Sequence, residues 1–222
     1  MRVHLPAFDG LVHLLASVRR LFDLDADPTV IDTALARDRT LRPLVRARRG
    51  VRVPGAIDPF EVSVRAVLGQ QVSVGAATKL AGRLVERHGR PVPGVGALGL
   101  THLFPDAATL ARADLTDVGL TRARARAVNA FAASVATGDL ELHRARDLDH
   151  TLAALQVLPG FGPWTAHYVA MRACGERDAF PASDLGLRRA LGGDPTARAE
   201  AWRPWRAYGA IQIWLGPVAP AD

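Results

Sequence analysis

The chain has 222 residues, 49% hydrophobic and 23% charged, enough to bury a full core and to share it between two lobes. All but one of its 28 basic residues are arginine, and a net charge of +6 favours a polyanionic partner, although a GC-rich genome enriches arginine too. Its single cysteine, Cys174, excludes an internal disulfide, a four-cysteine zinc site and an iron–sulfur cluster held by its own thiolates. Without an apolar run of about 18 residues or a basic-then-apolar start, the expectation is a protein of the reducing cytoplasm with no membrane span.

Phe8, Leu11, Leu14, Leu15, Val18, Leu21 and Phe22 stand at helical spacing and predict one amphipathic helix over 8–24. Asp27-Pro28 opens a short helix through Leu35, and the arginine-rich segment from Arg37 to Arg49 is either a linker or a solvated face. In Asp58-Pro59-Phe60-Glu61 the aspartate can cap, the proline fits the first helical position and the glutamate can reach back. That helix carries Phe60, Val64, Val67 and Leu68 inward and stops near Gln70-Gln71. Another runs from about Val74 to Arg87 and carries Lys79, the only lysine; the Pro/Gly-rich run from Gly89 to Gly99 reads as a loop. Asp106 to Ala113 forms a short helix, Asp114 to Thr121 a lesser helix–turn–helix, and Arg122 to Thr137 a long helix closed by Gly138. Arg122, Arg124 and Arg126 either touch a DNA backbone or lie on a solvated face, since a spacing of two spreads them around a helix.

The stretch LQVLPGFGPW, ending at Trp164, organises the rest. A helix capped by Asp149 enters it, and a second, ended by Gly175, leaves it. Gly160 and Gly162 can bring backbone close to a ligand, and Pro163 suits the first turn of the second helix. The turn thus aims backbone N–H groups from about Gly160 to Thr165 at a helix N-terminus, where the dipole favours an anion such as phosphate. Helices from about Leu185, around 197–205 and over 206–215 complete an all-α protein. Trp164 and Tyr168, four apart, share one helix face, either as core or as the wall of a pocket. Asp184 precedes a helix, where an aspartate is a cap, an ionised catalytic carboxylate, or both.

The LPGFGPWTA segment, Asp184 beyond it, VRAVLGQQVSV over 64–74 and WRPWRAY over 202–208 together resemble the helix-hairpin-helix DNA glycosylases, within them the bacterial 3-methyladenine DNA glycosylase II type. The likeness covers nearly the whole chain from Arg20 onward and implies a two-lobed helical fold with a cleft between the lobes. One lobe would comprise 1–58 plus 177–222; the other, 59–176, would carry the hairpin at about 149–174. It also implies a monofunctional enzyme that flips alkylated purines of the 3-methyladenine and 7-methylguanine class out of double-stranded DNA, hydrolyses the N-glycosidic bond and leaves an abasic site in base excision repair.

In that pattern Asp184 is catalytic, Trp164, Tyr168 and Trp214 line the base pocket, Gln71 is the wedge that fills the vacated stack, and Gly160, Gly162 and Thr165 anchor phosphate. No cofactor is implied beyond a structural Na⁺ or K⁺ on the carbonyls of Gln156, Leu158 and Gly160, and the protein is expected to act as a monomer away from membranes. Where the bifunctional branch has its Schiff-base lysine this chain has Trp164, which argues against lyase chemistry. The resemblance leads to the expectation that the N-terminal α/β domain of the best-known relatives has no room in this chain. The alternative is a non-catalytic helix-hairpin-helix module that grips DNA by its backbone, needing neither Asp184 nor the aromatic residues. A helical scaffold with merely solvated arginines is the remaining reading, and it implies no salt-dependent binding to DNA.

Overall fold

Six helices of the computed structural model, which describes residues 9–142 and 147–216, start behind an aspartate whose carboxylate accepts backbone N–H groups of the first turn: Asp27, Asp58, Asp106, Asp147, Asp184 and Asp194. The chain runs α1 (Leu11–Leu21), α2 (Pro28–Leu35), α3 (Leu41–Ala47), α4 (Pro59–Leu68), α5 (Val74–His88), α6 (Ala107–Arg112) and α7 (Arg122–Thr137). It continues through α8 (Leu148–Gln156), α9 (Pro163–Arg172), α10 (Leu185–Leu191), α11 (Pro195–Ala199) and α12 (Arg206–Trp214), with short 3₁₀ turns at Gly96–Leu98 and Glu200–Trp202. None of the described helices is long and apolar enough to cross a membrane.

The fold is helical as expected, with four local corrections. The run from Gly89 to Gly99 is not wholly loop: β1 (Arg90–Pro91) pairs antiparallel with β2 (His102–Leu103), Arg90 opposite Leu103. The segment from Arg37 to Arg49 is neither linker nor fully solvated, because α3 buries Leu41 and Val45 against the core. Helix α8 is capped by Asp147, whose Oδ1 accepts the His150 N–H at 2.7 Å, and Asp149 lies within its first turn. Helix α1 forms at the expected place but buries none of its residues, and Leu15 and Phe22 stay 52% and 47% exposed. Phe8 lies outside the described residues.

Two hydrophobic clusters account for the packing. The first gathers Phe60, Val64, Val67 and Leu68 of α4 with Leu84, Leu110, Val128, Phe131, Leu155 and Phe161. Phe131 stacks between Phe60 and Phe161, at ring-centre distances of 5.6 and 5.1 Å. The second gathers Ile31, Leu35, Leu41 and Val45 with Phe180, Leu187, Trp202, Tyr208 and Ile211. Helix α9 is their shared wall, since Ala166 and Val169 face the first while Ala170 and Met171 face the second. Fixed on both sides, α9 is a rigid platform for whatever its remaining face presents.

The stretch WRPWRAY does structural work in the second cluster. Arg206 is 5% exposed and grips Asp178 through Nε–Oδ1 and Nη2–Oδ2 contacts of 2.8 and 3.0 Å. Removing one partner of so buried a pair would strand a charge, at a cost of about 3–5 kcal/mol. Tyr208 donates its hydroxyl to Asp23 at 2.7 Å, joining the segment after α1 to α12.

Candidate active site

Helices α8 and α9 and the turn between them form the hairpin expected from Pro-Gly-x-Gly. Gly160 takes φ +78°, and a Cβ built there would stand 2.7 Å from the Ala127 Cβ on α7, so neither conformation nor space admits a side chain. The Phe161 N–H bonds back to the Leu158 carbonyl inside the turn, and the first helical bond of α9 is Ala166 to Gly162. The N–H groups of Trp164 and Thr165 therefore belong to the orphan set of a helix N-terminus. Thr165 itself is buried, and its hydroxyl turns inward to accept the Gln70 amide at 2.9 Å. Any part it plays in anchoring an anion thus falls to its backbone N–H.

Gln70 and the residue after it connect α4 to this turn. The Gln70 Nε2 also donates to the Gly160 carbonyl at 2.9 Å, while the Gln70 carbonyl accepts Nη2 of Arg124 at 2.6 Å. Arg124 is thereby tied down, whereas Arg122 and Arg126 stay exposed. Gln71 follows at φ +55°, in the left-handed region that a residue with a Cβ occupies at some cost, and projects into solvent. An open cleft of about 800 Å³ runs past Gln70, Gln71, Gly160, Gly162, Trp164, Thr165 and Asp184.

The segment leading to Asp184 is held from α9. His167 Nδ1 accepts the Phe180 N–H at 3.1 Å, which requires a neutral ring; burial first and then the Arg206 charge push its pKa down to about 4. Turns from Ala182 to Phe180 and from Asp184 to Pro181 then deliver Asp184 as the N-cap of α10.

Four donors converge on its carboxylate. Oδ1 accepts the N–H groups of Gly186 (2.9 Å) and Leu187 (3.0 Å) and the indole N–H of Trp214 (3.0 Å). Oδ2 accepts the indole N–H of Trp164 at 3.0 Å. Burial raises the Asp184 pKa, but hydrogen bonds from Trp214, the Leu187 amide, Trp164 and the Gly186 amide outweigh it, and the carboxyl sits below the ordinary value. Asp184 is thus both cap and ionised site group. Gly186 makes room for this: a Cβ there would come within 3.0 Å of Asp184 Oδ1 and 3.7 Å of Trp214 Cδ1.

Trp164, Tyr168 and Trp214 do come together. Trp164 stacks on Tyr168 with ring centres 5.1 Å apart at 13°, and Tyr168 lies 6.4 Å from Trp214. That stack is closed, so a purine cannot enter between Trp164 and Tyr168 and would have to lie on an outer ring face. All three rings are half-buried. Sequence reasoning missed Gln70, whose only signal was its place at a helix end, and Arg172, whose Cζ stands 5.6 Å from the Tyr168 ring centre.

The carbonyls proposed for a monovalent cation meet a mixed test. That of Gly160 already accepts an amide whose hydrogens would repel a cation, and that of Leu158 accepts the Phe161 N–H. Each of these oxygens keeps a second lone pair. Among the described residues no cluster of His, Cys, Asp and Glu has the makings of a metal site.

Two family models match. Residues 64–195 match the HhH-GPD superfamily base excision DNA repair protein, and residues 1–58 match the AlkA N-terminal domain. The second match narrows the expected departure: the chain does match the model of that domain, and the described part of the stretch, from residue 9, is helical. The chain is 45% identical to the Mycobacterium tuberculosis protein named probable bifunctional transcriptional activator/DNA repair enzyme AlkA, over 98% of this chain and 45% of that one. It thus spans about half the length of that relative. It is 36% identical to the DNA-3-methyladenine glycosylase 2 of Escherichia coli K12, over 90% of this chain and 70% of that one. The crystal structure of a DNA-3-methyladenine glycosidase from Bacillus halodurans superposes with a TM-score of 0.67 at 25% identity, covering 85% of this chain and 88% of that one. By these matches the chain belongs to the HhH-GPD superfamily of base excision DNA repair proteins.

Proposed function

We propose that the chain is a monofunctional DNA glycosylase that removes alkylated purines from double-stranded DNA by hydrolysing the N-glycosidic bond. The observation that carries this reading is the Asp184 carboxylate, which collects two indole N–H groups beside the hairpin cleft. A backbone-binding module would need no such carboxylate.

Breaking the bond builds positive charge on the sugar, and an ionised carboxylate beside it stabilises that charge and can orient the attacking water. The two oxygens are unequally engaged. Oδ1 takes three donors and is fixed; Oδ2 takes Trp164 alone and is the oxygen left to face the sugar. The first-turn N–H groups of α9 would hold a phosphate, and Gln71 would fill the place of the everted nucleotide. The base would lie against an outer aromatic face, where a cationic purine gains about 1–2 kcal/mol once desolvated. With Trp164 where a Schiff-base lysine would stand, and Lys79 exposed on α5, the reaction would end at the abasic site. Duplex DNA would be gripped by one copy of the chain, with the cleft between lobes of 59–176 and of 1–58 plus 177–222.

The test is methylated duplex DNA, scored for released bases and for heat-labile abasic sites. Release of 3-methyladenine and 7-methylguanine with intact strands is expected; salt-sensitive binding without release would favour the non-catalytic module. A borohydride-trapped covalent adduct would restore lyase chemistry.

A further inference from the structure

Trp164, Tyr168 and Arg172 stand four residues apart along α9 and form a ladder of indole, phenol and guanidinium. Trp164 stacks on Tyr168, and the Arg172 Cζ lies 5.6 Å from the centre of the same phenol ring. The guanidinium Nη1 donates to the Tyr168 hydroxyl at 3.3 Å, and Nε donates to the Pro54 carbonyl, which fixes the group from the other side. Among the described residues no carboxylate lies within ion-pair distance of Arg172. A permanent, half-buried positive charge therefore stands against the Tyr168 ring with no ion-pair partner among the described residues.

We propose that Arg172 sets the lesion selectivity of the site by restraining its preference for cationic over neutral purines. The inference rests on the glycosylase reading above. An aromatic stack attracts a cation through the negative potential of its faces, and Arg172 already draws on that potential at Tyr168. A cationic base on the far side meets a weakened attraction and direct repulsion from the guanidinium, whereas a neutral base loses little. Arg172 touches neither base nor sugar and is a positioning residue.

The experiment compares base release from two duplexes that differ only in one 7-methylguanine or one hypoxanthine. Wild type is set against Arg172→Met, which removes the charge and keeps the stem, and against Arg172→Lys, which keeps the charge. The ratio of the two rates is expected to rise about three- to tenfold toward 7-methylguanine in Arg172→Met and to stay within about twofold in Arg172→Lys. Arg172→Gln gives the same reading should Arg172→Met fail to fold. A ratio that Arg172→Met and Arg172→Gln leave unmoved, an equal rise in Arg172→Lys, or no hypoxanthine release by wild type overturns the inference. Wild type that releases neither base overturns the glycosylase reading itself, which keeps the two failures apart.

Discussion

The first turn of α6 and the first turn of α10 begin alike, each behind an aspartate that accepts backbone N–H groups. Asp106 takes the Thr109 N–H at 2.8 Å, lies in solvent, and has its carboxyl lowered by the backbone and side chain of Thr109. Asp184 takes the same kind of bonds from Gly186 and Leu187, but it is half-buried, and indoles from α9 and α12 close on both its oxygens. Local sequence makes each a cap. Only long-range packing sets one of them apart, because it adds burial that would neutralise the carboxylate and, with it, the donors that prevent this.

Exchanging the two carboxylates for amides separates them most sharply. Asparagine caps a helix about as well as aspartate, so Asp106→Asn should leave base release within about twofold and stability nearly unchanged. Asp184→Asn should cost roughly 100- to 1000-fold in base release while duplex binding persists, as measured in single-turnover reactions. Equal effects would place both residues on the same footing. A smaller displacement of the carboxylate should cost less: in Gly186→Ala the new Cβ crowds Asp184 Oδ1 from 3.0 Å, and base release should fall about tenfold with little loss of thermal stability. The smallest effect should be a gain. Gln71→Gly relieves a left-handed conformation at φ +55° and should stabilise the fold by about 1 kcal/mol in denaturant titration, while base release falls a few-fold for want of a wedge.

Much of the cap logic was legible in sequence, since Asp-Pro at 27–28 and 58–59 declares helix starts through bonds made within a few residues. Asp147, which caps α8 in place of Asp149, shows the limit: two aspartates two residues apart satisfy the same local rule, which does not choose between them. The aromatic residues around Asp184 could be named from a resemblance, but not their bonds, because Trp214 reaches Oδ1 across 30 residues of intervening chain. The Gln70 bridge to Gly160 and Thr165 spans 90 and 95 residues, and no periodicity records such a contact. Helix α3 was illegible for a different reason: its arginines hide the short period of Leu41 and Val45.

The titration of Asp184 itself bears most directly on the idea that incoming indoles turn a cap into an ionised site. A carboxyl depressed in the folded state adds stability above its unfolded pKa, and that stability is lost as pH falls through the folded value. Carbon-13 NMR of the side-chain carboxyl, in wild type and in Trp214→Phe, reads this without reference to activity. Asp184 should titrate below the ordinary aspartate range in wild type and at higher pH once the Trp214 N–H is gone, with the acid limb of base release moving the same way. A wild-type carboxyl that titrates above that range, or one that the loss of the indole leaves where it was, would contradict it.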